Sequence, residues 1–115
     1  MIIEKTIYDY LSNALSVPVF LERPKDQQTN FVLIERTSGS KQNGLSTATV
    51  AIQSHSASML NAVTLNGAVK QAMEAMVCLT DIFSVKLNSD YNFTNQNSFR
   101  GYRYQAVFFI TYKEN

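Results

Sequence analysis

The side chains able to do chemistry are few and far apart. Cys78 is the only cysteine and His55 the only histidine in 115 residues. The chain therefore cannot form an internal disulfide, and no thiolate–imidazole pair stands at short spacing. Cys78 follows Met76 and Val77 in an apolar run, which reads as a buried structural thiol. His55 sits in the Ser-rich stretch QSHSAS and reads as a solvated or capping residue, not a base. Zinc needs several Cys, His or carboxylate ligands together, and no such grouping occurs. Asp90, Asn92 and Asn95 lie in DYNFTNQN, but the sixth-position Gly and the closing Glu of a calcium loop are missing. Glu22, Asp26 and Glu35 are unpaired along the sequence and read as solvated carboxylates. Glycine-rich phosphate loops, nucleophile elbows and HExxH are absent from the sequence. The expectation is a protein that is no enzyme, with no catalytic residue, no cofactor and no metal.

One stretch does suggest binding. RGYRYQAVFFITY, starting at Arg100, opens like the RNA-reading motif of RRM domains, [K/R]-G-[F/Y]-[G/A]-F-V-x-[F/Y]. The motif then breaks: Arg103, Tyr104 and Gln105 stand where a small residue and Phe-Val belong. It also lies on the last strand-like run, not the third of βαββαβ. Ten basic residues are scattered among nine acidic ones for a formal charge of +1, so no cationic stripe tracks a phosphate backbone. No specific nucleic-acid partner is expected.

By the two-residue period of a strand, Tyr102, Tyr104, Ala106, Phe108, Ile110 and Tyr112 share one face; Arg103, Gln105, Val107, Phe109 and Thr111 share the other. Its centre, AVFFI, is apolar on both faces, and so is FVLI at 31–34. A sheet with one wet face should alternate instead. The expectation is core on one side and a protein contact surface on the other.

The elements that carry these residues follow from pattern. Ile3, Ile7, Tyr10, Leu11 and Ala14 recur at helical spacing, predicting a helix over about residues 2–15 that Pro18 stops. VPVFLE reads as a strand. Strands at 31–36 and 48–53 form a hairpin, with SGSKQNG between them either a tight Asn-Gly turn or a loop of seven; we read it as the loop. Ser56 or Ser58 caps a second helix running to about Val77, with Ala62, Leu65, Val69, Ala72, Met73 and Met76 inward and Asn66, Lys70 and Glu74 outward. IFSVKLN predicts a half-buried strand with Phe83, Val85 and Leu87 on one face, SDYNFTNQNSF a loop, and the aromatic run the last strand. The fold class is thus α+β: a mainly antiparallel sheet of about five strands with two helices, in the order α-β-β-β-α-β-β, as one domain over residues 1–115. Hydrophobic residues make up 45% and charged ones 17%, a globular composition. MIIEKTIYDYL carries Glu4, Lys5 and Asp9 and does not read as a signal peptide, and no apolar run approaches the ~20 residues of a membrane span. A soluble protein of a reducing compartment is expected.

The pattern resembles the tail terminator (tail completion) proteins of long-tailed bacteriophages and prophages. The matching pieces are the opening helix into LSVPVFLERP, then NFVLIERTSGS, ATVAIQSHSASMLNAVTLNGAVKQAMEAM, and the closing YRYQAVFFITYKEN. The likeness spans nearly the whole chain and rests on order and residue character. It implies a structural virion protein, assembled in the bacterial cytoplasm, forming a homo-oligomeric ring, commonly a hexamer. Such a ring caps the tail tube, stops its growth and offers a docking surface to the head or neck connector. The runner-up is another neck or head-completion adaptor. Under this resemblance the contact residues are Lys41, Gln42 and Asn43 on the hairpin, ordered on assembly, and Tyr102, Tyr104 and Phe108 on the last strand.

Overall fold

Two helices lie on one face of a five-stranded mixed sheet, in a computed structural model that describes residues 1–25, 29–94 and 101–114. Helix α1 spans Ile3–Ala14 and buries Ile3, Ile7 and Leu11, a row of four-residue steps that points one stripe at the sheet. Leu15 leaves it extended, with ψ 154°. The strands are β1 (Val19–Phe20), β2 (Phe31–Gln42), β3 (Leu45–Ser56), β4 (Ile82–Asn92) and β5 (Tyr102–Lys113); α2 spans Met59–Ala75 and runs into a 3-10 turn at Met76–Cys78. This is the order α-β-β-β-α-β-β that the sequence predicts.

In space the strands run β1-β2-β3-β5-β4. β1 pairs in parallel with β2, and every other pair is antiparallel. Helix α2 carries the chain from β3 to the far edge, and β5 returns to fill the gap between them. Its neighbours β3 and β4 pair along both sides of β5, so it is the central strand of the sheet's larger half. That position explains its apolar middle. Phe108 and Ile110 join Val32, Ile34, Val50, Ile52, Val69 and Met73 in the core under the helices.

Four expectations need correction. The residues between β2 and β3 are not a loop of seven: pairing continues to Gln42↔Leu45. Only Asn43 and Gly44 turn, with φ 54° and 80°, the left-handed pair that a two-residue type I′ hairpin requires. The ladder extends because β5 pairs with β3 as far as Leu45↔Lys113, which gives β3 a partner on its other side. SDYN likewise belongs to β4, not to a loop; the part of that predicted loop at 95–99 lies outside the described residues.

The inward stripe of α2 is rotated by about a tenth of a turn, which brings Asn66 in and moves Leu65 and Ala72 to its edge. Ala62, Asn66, Val69 and Met73 are buried, while Leu65 is only partly so. Asn66, expected outside, donates from Nδ2 to Asp90 Oδ1 at 2.6 Å, and Lys70 pairs with the other oxygen of Asp90. The carboxylate satisfies the NH2 side of this buried amide, while Asn66 Oδ1 is buried with no hydrogen-bond partner among the described residues. Cys78 is exposed, since the 3-10 turn directs Met76 inward and leaves Val77 and Cys78 out.

Ser58 Oγ accepts from the Asn61 amide at 3.1 Å, the helix cap expected from the sequence. Just before β5, Gly101 has φ 109°, and a Cβ built there would stand 2.7 Å from the Ser56 carbonyl oxygen. Gly101→Ala is therefore expected to cost about 2 kcal/mol in urea unfolding, from backbone strain and the clash together. Gly44→Ala, whose Cβ meets nothing within 4 Å, is the milder comparison, at about 1 kcal/mol.

Candidate functional site

Cross-strand register sorts the side chains by face. Val50↔Phe108, Ala48↔Ile110 and Ile52↔Ala106 point to the helices; Thr49↔Phe109, Ala51↔Val107 and Gln53↔Gln105 point away. No helix covers that second, outer face, yet part of it is covered all the same. Phe31, Leu33, Ala51 and Gln53 are buried there. Phe31 stands between the edge of Phe20, ring centroids 5.8 Å apart, and the flat face of His55 at 4.3 Å and 9°. The sequence leads to the expectation that a partner chain shelters part of the second face, and that part does not include the Phe31 end. This end of it is sheltered by the chain's own residues.

His55 is no solvated cap. Its Nε2–H reaches Gln53 Oε1 at 3.0 Å, Gln53 Nε2 donates to Gln105 Oε1 at 3.1 Å, and Gln105 Nε2 donates to Tyr91 Oη. Four side chains from β3, β5 and β4 thus form one hydrogen-bonded ladder across the outer face. Burial lowers the His55 pKa to about 4, helped by the nearby charges of Arg23 and Arg103. The imidazole is therefore neutral near pH 7, with one N–H, as the ladder needs. Beyond Tyr91, its ring meets Phe93 edge-on at 5.8 Å, and the Arg103 guanidinium lies 4.4 Å over Phe93, a cation–π contact.

The rest of the outer face is open. Phe109 is 42% exposed, and Tyr91 and Phe93 are exposed beside the ladder. Thr47, Thr49 and Thr111 surround Phe109 through strand pairing, and Lys86 is its direct partner on β4. A lone large ring in a collar of threonines is an anchor of the kind protein interfaces use.

The six residues assigned to contacts from the sequence fall in two places. Lys41 and Gln42 end β2 and Asn43 begins the turn, all exposed. Lys41 lines, with Arg36, Ser46, Tyr112 and Glu114, a concavity of about 510 Å³ on the helix side of the hairpin. There Ser46 Oγ donates to Glu114 Oε2 at 2.7 Å, which holds the Glu114 carboxyl below its usual range, with Lys41 adding to the effect. Arg36 pairs with Glu4 of α1 at 3.1 Å.

Tyr102 and Tyr104 are half-buried and pair with Ser56 and Ser54 on the helix side. Phe108 is fully buried there, so as a contact residue it is a correction: the helices already occupy its face. Phe109 is the exposed ring, and sequence reasoning passed over it. The signal was present in the alternation of β5, which had already separated Phe109 from Phe108.

Among the described residues, no group of three or more His, Cys, Asp and Glu could hold a metal ion. No helix among them is long and apolar enough to cross a membrane. Compared with known proteins, the chain matches no family model and no curated sequence.

Proposed function

We propose that the protein is a structural subunit that works by self-assembly, as a phage tail terminator ring that caps a tail tube, halts its growth and presents a surface to the head connector. The observation that carries the reading is the open half of the outer sheet face: a half-exposed Phe109 on β5, with exposed Tyr91 on β4 and Phe93 just beyond it, while the helix side of β5 buries Ala106, Phe108, Ile110 and Tyr112. Rigid strands hold such side chains in fixed register, which suits a repeated contact better than a mobile loop would. The hairpin tip supports the same reading. Its two strands stay paired up to the Asn43–Gly44 turn and β5 flanks them as far as Leu45↔Lys113, so exposed Lys41 and Gln42 are held on paired strand. The order of elements agrees with the resemblance seen in the sequence. Catalysis has no part in this reading, and neither does a cofactor.

The test is to add the purified protein to growing tubes of a phage tail-tube protein and measure tube lengths by electron microscopy. Short, blunt-ended tubes bearing a ring at one end are expected. Tubes of unchanged length with bare ends would overturn the proposal, and binding to the head connector alone would favour the neck-adaptor role.

A further inference from the structure

A cyclic ring of more than two subunits needs two different patches on each subunit, one for each neighbour. Two are present, on opposite faces. The first is Phe109 with its surroundings on the outer face of the sheet. The second lies on the side of α2 turned away from the sheet, where Leu60 is 74% and Val63 43% exposed. One turn beyond Val63, Gly67 leaves a gap: a Cβ there would meet nothing within 4 Å. Leu60, Val63 and Gly67 fall at i, i+3 and i+7, one row of the helix. From Met59 to Val69 that helix carries no charge at all. An exposed glycine in mid-helix costs stability of about 1 kcal/mol relative to alanine, and none of the described residues fills the space it leaves.

Resting on the ring reading, we propose that the contact is head-to-tail: Phe109 of one copy seats on the Leu60–Val63–Gly67 row of α2 in the next. Charge favours this pairing over sheet against sheet. The outer-face strand positions carry Lys86, Arg103 and Lys113 against Glu35, so two outer faces repel. The helices carry Glu4, Asp9 and Glu74 against Lys5 and Lys70; Asp9 is paired with Lys5, Glu4 with Arg36 and Lys70 with Asp90, which leaves Glu74 as the helix charge outside any ion pair among the described residues. Glu74 lies two turns beyond Gly67 on the same row, where Lys86, the strand neighbour of Phe109, can meet it. The apolar anchor and the opposite charges thus lie in matching order on the two patches.

The experiment uses two variants that spare the fold. Phe109→Thr matches the surrounding threonines, and Gly67→Arg adds a helix-favouring side chain into open space. Both are expected to melt like the parent or, for Gly67→Arg, slightly higher. Light scattering from dilute to millimolar concentration should show the parent associating and each variant alone weakened by about tenfold or more. Mixed together, the variants should form a one-to-one dimer and stop, because one intact patch of each kind remains. Gly67→Arg associating like the parent, a mixture that stays monomeric, or a parent that is monomeric throughout would each overturn the proposal. If oligomers form but neither variant affects them, this contact is wrong and the ring reading stands. If both variants block oligomers that nevertheless fail to halt tube growth, the contact stands and the capping role falls.

Discussion

Phe108→Ala is expected to cost the fold about 4 kcal/mol, whereas Phe109→Ala, one residue along, should cost no more than about 1. Phe108 is fully buried and belongs to the core cluster that joins both helices to the sheet. Truncating it removes a large apolar surface and leaves a cavity between Val50 on β3 and Leu87 on β4, its pairing partners. The layer above cannot close over that gap, because α2 is pinned by Val69 and Met73 and by the Asn66–Asp90 hydrogen bond. The ring of Phe109 points the other way, 42% exposed, and its loss leaves only strand propensity and a little cross-strand packing to be felt. Equilibrium urea unfolding of the two variants measures both. Equal losses would mean that the outer face is packed as tightly as the inner one, and would remove the basis for a contact surface there.

The same pair of phenylalanines shows what could be read from the sequence. Period-two alternation separates them without any structure, and period-three-to-four spacing finds both helices, so the element order and the α+β class were legible. Which face the helices choose was not. AVFFI is apolar on both sides, and only the sum over three strands decides, with Val32, Ile34, Val50 and Ile52 adding to the Phe108 side. The Asn43–Gly44 turn was legible in its residues, yet the polar run before it gave no reason to expect pairing. Backbone hydrogen bonds extended that ladder, and side-chain hydrophobicity carries no trace of them. Asn66 and His55 were misplaced for a related reason. Each is a polar residue whose burial depends on a partner distant in sequence, Asp90 for one and Phe31 for the other. A single polar residue announces no such partner.

His55 makes the second large prediction, a loss of stability in mild acid. Its pKa is lowered in the folded protein from 6.5 to about 4, first by burial and then by Arg23 and Arg103. The unfolded chain therefore takes up a proton as pH falls below about 6.5, while the folded chain refuses it until about pH 4. Stability is full above pH 6.5, falls across the interval between the two values, and levels off for this group below pH 4. A shift of that size corresponds to about 3 kcal/mol at most, and solvent at the partly exposed ring reduces it. The geometry supplies the physical cause. A protonated ring would sit flat on Phe31 and feel the positive charges of Arg23 and Arg103. Its Nε2–H bond to Gln53 would survive protonation, so charge and desolvation, not a lost hydrogen bond, set the penalty. Carboxylates begin to titrate nearer pH 4, so the interval from pH 6.5 to 5 reports mainly on the histidine. Unfolding free energies from urea titrations across it should fall for the parent, by up to about 2 kcal/mol at pH 5. For His55→Gln, which keeps a donor but no titrating ring, they should stay level. A parent curve as flat as that of His55→Gln would place the imidazole in solvent and break the ladder at its first rung.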